Sequence, residues 1–299
     1  MARGRGVLLQ QEAPVLLSAV DGSPIPLLFE TARPGTVKLD PSMRFVAQVT
    51  DERHELWDIR AGRRVYEAPA NSSWSSAFTP DGRAFVAVTA AGVIDVVMLQ
   101  GPLSVRHVPT SLMIDGELAL DPSGGAVYVP AREGVGRLDW ASGAFAMLNV
   151  PGSAQRVDVA PQGRGIIVGY PNGNVLVVGP SGTVIGQVLL SDTLSAIVFA
   201  EDGSLAAIGS HDGGVRLVDM ARGRLVADVR AGTGAVTDLA ISADGMWLMV
   251  EGLTRARLVP LDPYARLCRL AVRPLSGEEW RDVGGTGPVP PVCQTSAEH

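Results

Sequence analysis

The segment Ile197 to Gly245 holds four short apolar runs set between small polar turns. It opens on Asp202-Gly203, runs through Leu205-Ala206-Ala207-Ile208-Gly209, and turns again at Asp212-Gly213-Gly214. Val215-Arg216-Leu217-Val218-Asp219 follows, then the turn Ala221-Arg222-Gly223 and the run Leu225-Val226-Ala227-Asp228-Val229. The next Asp-Gly turn, Asp244-Gly245, stands 42 residues after the first. Runs of this length, rich in β-branched residues and bounded by Gly, Asp and Ser, are the signature of strands joined by hairpins.

The same unit recurs along the chain. The turn before each second strand falls at positions 41, 80, 122, 161, 201 and 243, with spacings of 39, 42, 39, 40 and 42. A separate series, Gly22, Gly62, Gly101, Gly143, Gly182 and Gly223, marks the end of each third strand at spacings of 40, 39, 42, 39 and 41. Two turn series in phase at about 40 residues predict an all-β propeller of four-stranded blades. Phe45-Val46-Ala47-Gln48-Val49, Ala84-Phe85-Val86-Ala87-Val88 and Ile166-Ile167-Val168 are nearly continuous apolar runs. Such runs suit strands covered on both faces, as between packed blades.

Counting third strands favours seven blades, with six as the alternative. In the first unit Pro14 to Val20 reads as a third strand and Ile25 to Glu30 as a fourth, with no clear first strand. The last unit supplies three strands and ends at Val259-Pro260-Leu261. In the six-blade alternative the N-terminal fourth strand closes the last blade and removes its free edge.

Composition narrows the functional classes. The 299 residues include 35 Gly and 21 Pro, with aromatics only 5%, which fits many short strands around an aliphatic core. The formal net charge is −6, and the basic residues are dispersed rather than gathered into the stripe that a nucleic acid would need. Lys38 is the only lysine among 25 basic residues. No run of 18 apolar residues suggests a membrane span. Val7-Leu8-Leu9 after Arg3 and Arg5 has the opening of a signal peptide, but Gln10, Gln11 and Glu12 interrupt its apolar core. A cytoplasmic location is expected.

Glu55-Leu56-Trp57-Asp58-Ile59 followed by Arg60-Ala61-Gly62 resembles the Trp-Asp ending of WD repeats, and Val215 to Asp219 is a weaker copy. Elsewhere the pair is shifted, as at Leu138-Asp139-Trp140, or lost, as at Val175 to Val178. The repeats are therefore degenerate, and the family's Gly-His pair has no counterpart. Residues 1–261 are assigned to the propeller and 262–299 to a short helical tail with an extended strap. Within the tail, Leu267-Cys268-Arg269-Leu270-Ala271, Glu278-Glu279-Trp280-Arg281 and Pro291-Val292-Cys293 resemble the C-terminal tail of WD-repeat regions in bacterial, especially actinobacterial, STAND-type NTPases. That resemblance implies a scaffold or sensor module in bacterial signalling or defence. The implied partners are other proteins, including a separately encoded signalling NTPase.

No motif here announces catalysis. Gly35-Thr36-Val37-Lys38-Leu39 lacks the form of a phosphate loop, and Gly134-Val135-Gly136 opens a strand, so it is not a dinucleotide fingerprint. The four histidines, His54, His107, His211 and His299, are far apart, and Cys268 and Cys293 are 25 residues apart with no histidine nearby. No cofactor, metal or catalytic residue is assigned. His54 and His211 hold similar places near third strands, and surface turns are the ordinary expectation for both. Glu201 and Asp202 are expected to cap local turns. Cys268 and Cys293 allow one disulfide closing a loop of about 25 residues, worth about 3 kcal/mol in the chain-entropy account, although cytoplasmic thiols stay reduced. The rival functional class is a propeller enzyme of the lactonase or hydrolase kind, which needs several converging acids or amides around a divalent cation in its channel.

Overall fold

The computed structural model describes residues 36–261 except 51, 71–74, 90–91, 115 and 231–233, together with strand backbone at 6–9, 15–18 and 24–25 and the single residue Glu278. Sheet 1 is β1 (Gly6–Leu9), β2 (Val15–Ser18) and β3 (Pro24–Ile25). Sheet 2 is β4 (Thr36–Leu39), β5 (Phe45–Val49), β6 (Arg53–Asp58) and β7 (Arg63–Pro69). Sheet 3 is β8 (Ser76–Phe78), β9 (Ala84–Val88), β10 (Val93–Met98) and β11 (Ser104–Pro109). Sheet 4 follows as β12 (Ala119–Leu120), β13 (Val127–Ala131), β14 (Gly134–Leu138) and β15 (Phe145–Met147). Sheet 5 has β16 (Arg156–Val159), β17 (Ile166–Gly169), β18 (Asn174–Val178) and β19 (Val184–Leu189). Sheet 6 has β20 (Leu194–Phe199), β21 (Leu205–Ser210), β22 (Gly214–Asp219) and β23 (Arg224–Arg230). Sheet 7 ends the series with β24 (Val236–Ile241), β25 (Trp247–Gly252) and β26 (Ala256–Pro260).

Every sheet is an antiparallel meander in sequence order, so each strand pairs with its chain neighbours. The stretch Ile197 to Gly245 spans sheet 6 and β24 of sheet 7; in sheet 6, Ile208 lies opposite both Ile197 and Arg216. Its second strand shows why the apolar runs are continuous. Ala206 and Ile208 pack on the core shared with sheet 5, while Ala207, between them, packs on the core shared with sheet 7. Equivalent cores lie between sheets 2 and 3, 3 and 4, and 4 and 5. Sheets 3 to 6, stacked side by side with a core on both faces, are the blades of a propeller, flanked by sheets 2 and 7.

Asp side chains set the turns between first and second strands. Asp202 accepts a bond from Ser204 N at 3.0 Å, Asp121 from Ser123 N at 2.9 Å and Asp244 from Met246 N at 3.0 Å. The pairing of third and fourth strands slips at a matching point in three sheets, at Leu56/Trp57, Val177/Val178 and Leu217/Val218. A bulge there adds twist to the outermost strand.

The ends differ from expectation. Val7-Leu8-Leu9 belongs to β1, which pairs along its length with β2, so the first unit has a second strand that composition near the terminus concealed. Of the expected fourth strand, Ile25 is described, in β3 with Pro24, and this strand pairs with β2; the rest lies outside the described residues. β26 pairs with β25, and β3 is not its neighbour, so the described pairings do not include the closure of the six-blade alternative. The helical tail and strap at 262–299 lie outside the described residues, apart from Glu278.

Candidate functional site

First strands begin and second strands end on one face of the propeller, where loops from the fourth strand to the next first strand meet loops from the second strand to the third. On this face, sheets 4, 5 and 6 enclose a pocket of about 360 Å³. Its wall is built by Gly116 and Glu117 ahead of β12, Gln155 and Arg156 at the start of β16, and Gly169 at the end of β17. Thr193 and Leu194 at β20 and His211 after β21 complete it. Glycine is required at Gly116, where a Cβ would lie 2.1 Å from the backbone Gln155 O; at Gly169 a Cβ would meet only Leu194 Cδ2, at 2.3 Å, the end of a side chain that can turn.

Arg156 is held firmly. Its Nε donates to Asp158 Oδ2 at 3.0 Å and its Nη1 donates to Ser195 O of the next sheet at 2.9 Å. Glu117 forms a parallel backbone bridge with Arg156, yet its exposed carboxylate makes no ion pair with that guanidinium. Deeper on the central side lies Lys38 of β4, whose Nζ donates to Ser76 O of β8 at 2.6 Å. Burial holds the Lys38 ammonium below its usual pKa, and the attraction of Glu117 partly restores it. Burial pushes the Asp158 carboxyl above its usual value, against the stabilising charge and hydrogen bond of Arg156. The central side therefore carries two basic and two acidic side chains in mutual reach of their fields. A channel lined by several acids would favour a divalent cation, whereas this mixture balances itself. Among the described residues no three His, Cys, Asp or Glu side chains are grouped to hold a metal ion.

The two compared histidines have different fates. His211 is exposed at the pocket rim. His54 is a correction to the surface-turn expectation: it is fully buried between sheets 2 and 3, with Nε2 bonded to Val88 O at 2.9 Å and Nδ1 without a partner. Its place within β6, whose alternate residues point into the interblade core, explains the burial. Nearby, Asp95 of β10 accepts from Tyr66 OH at 2.8 Å and from His107 Nδ1 at 2.7 Å, tying β7 to sheet 3. Trp57 donates to Glu55 Oε2 two residues back in its own strand, at 3.2 Å. Cys268 and Cys293 lie outside the described residues.

A second feature is apolar. Gly186 of β19 and Gly223 before β23 approach so closely that a Cβ on Gly186 would stand 1.9 Å from Gly223 O. Val184 and Ile185 precede that point in β19 and Leu225 and Val226 follow it in β23; they are 42, 37, 50 and 60% exposed. The two outer strands that meet here thus concentrate exposed aliphatic residues within a few positions of their closest approach, an apolar patch of the outer rim.

Sequence alone missed Arg156, Glu117 and Asp158. The available signal was Arg156-Val157-Asp158, a pair of charges at alternate positions of the first strand of sheet 5, where Val157 between them is core. Strand alternation places both charges on the same side.

The fold and these surfaces define a β-propeller with a polar pocket on one face and an apolar patch on its outer rim. No protein-family model matches the chain. A segment of 64 residues is 42% identical to dihydro-heme d1 dehydrogenase of Pseudomonas aeruginosa, covering 21% of this chain and 13% of that protein. That length is about one and a half of the 40-residue units.

Proposed function

We propose that the chain is a non-enzymatic protein-binding propeller of the WD-repeat kind, serving as a scaffold or sensor module in a bacterial signalling or defence assembly. The observation that carries this reading is the apolar patch of Val184, Ile185, Leu225 and Val226. A rigid stack of blades holds such a patch without rearrangement, which lowers the ordering cost of binding. The Trp57-Asp58 ending and the tail's resemblance to those of STAND-type NTPases support the family assignment, and they make a separately encoded NTPase a candidate partner.

Chemical crosslinking in the native host, followed by mass spectrometry, tests the proposal. Wild-type protein is expected to recover specific protein partners, and a Leu225→Glu/Val226→Glu double variant with an unchanged melting temperature is expected to lose them. Recovery of the wild type alone, or equal recovery of partners by the variant, refutes it.

A further inference from the structure

The pocket on the loop-bearing face presents opposite charges from neighbouring backbone positions. Arg156 contributes the positive side. With Nε engaged by Asp158 and Nη1 by Ser195 O, its guanidinium plane is fixed, and Nη2 is left for a ligand. Fixing the guanidinium in advance reduces the entropy lost when an anion docks. Glu117 contributes the negative side. Although its backbone bridges that of Arg156, the guanidinium turns away to Asp158; the Glu117 carboxylate makes no ion pair with a described residue, and the field of the Lys38 ammonium reaches it without a direct contact. The same wall includes Thr193, Gln155, Leu194 and the exposed His211.

Simple ions fit this arrangement poorly. A phosphate on Arg156 would meet the repulsion of Glu117, and a metal cation on Glu117 would meet that of Arg156 and find no second unpaired carboxylate in the wall. A molecule carrying both signs meets neither penalty. The volume, about 360 Å³, lies at the lower end of the range for small-molecule sites.

We propose that this pocket binds a small zwitterion of the amino-acid type, its carboxylate on Arg156 Nη2 and its ammonium, one carbon away, on Glu117. Leu194 then faces the ligand's side chain, and Thr193 and Gln155 supply further hydrogen bonds. This ligand role is separate from protein docking on the outer rim and is read without any protein partner.

Isothermal titration of the full chain with glycine, L-serine and L-glutamate provides the test, with acetate and ethanolamine as the two half-ligands. At least one amino acid is expected to bind about ten-fold or more tightly than either half. Glu117→Gln, at an exposed position, is expected to abolish the advantage over acetate while leaving the fold intact by circular dichroism. Arg156→Gln is expected to weaken the amino acid about ten-fold or more. Absence of binding by all three amino acids at millimolar concentration, acetate binding as tightly as they do, or unchanged affinity in folded Glu117→Gln would each overturn the proposal.

Discussion

At the scale of the residue, polar groups placed between blades tie neighbouring sheets together and make stability depend on pH. His54 is the clearest case. Its imidazole donates to Val88 O across the sheet boundary, and burial holds its pKa below the ordinary value near 6.5, with the positive charge of Lys38 acting in the same direction. The unfolded chain takes up a proton at this residue near the ordinary value, whereas the folded chain does not. Its contribution to stability is therefore complete above about pH 6.5 and declines as the pH falls from there to the lower folded value, by at most about 1.4 kcal/mol per pH unit. Urea unfolding at pH 7.5 and 5.5 is expected to show a smaller loss of stability on acidification for His54→Gln than for the wild type. An equal loss in both proteins would show that His54 does not carry the dependence.

At the scale of the element, close approach between sheets gives some glycines a requirement their sequence neighbours do not show. Gly101 lies in a turn after β10, and Gly186 lies inside strand β19. Gly101 has φ +76 with open space around its missing Cβ, whereas Gly186 faces Gly223 O across two sheets. Gly101→Ala should cost about 1 kcal/mol, from the left-handed backbone alone. Gly186→Ala must part β19 from the turn before β23, and should cost about 2 kcal/mol or more, with a correspondingly larger fall in melting temperature. Equal costs at the two sites would contradict the close approach. The turns themselves were legible in sequence because they need local features: an Asp to accept backbone N–H groups and a glycine for positive φ. Gly186 shows the limit of that reading. Its requirement comes from Gly223 in a turn of the next sheet, 37 residues on, so nothing beside it in sequence announces it. Arg156 and Glu117 were hidden for the same reason: their pocket exists only after three units are set side by side. Burial of His54 likewise depends on the blade that covers it.

Across the whole molecule, a propeller built from repeated meanders grades in protection from the middle of each blade outward. The second strands β5, β9 and β17 are buried at every position, while the fourth strands β11 and β23 are largely exposed. Consecutive sheets are further joined through Lys38 to Ser76 O, His54 to Val88 O and Arg156 to Ser195 O, which couples local opening in one blade to its neighbours. Sheet 7 departs from this scheme, because β26 is its last strand among the described residues and Leu258 on it is 62% exposed. Of β26 only Val259 packs on the core shared with sheet 6, so a strand bonded on one side and anchored so lightly opens at lower energy than a buried second strand, and its amides exchange through local fluctuations. Native-state hydrogen exchange is expected to place β9, β17 and β21 in the slowest class and β26 among the fastest strands. Protection of β26 comparable to that of β21 would show that its outer edge is covered in solution. In that event a Leu258→Pro variant would distinguish a paired strand, whose loss would expose the β26 amides, from cover by side chains alone, which would leave the neighbouring backbone bonds of β25 unchanged.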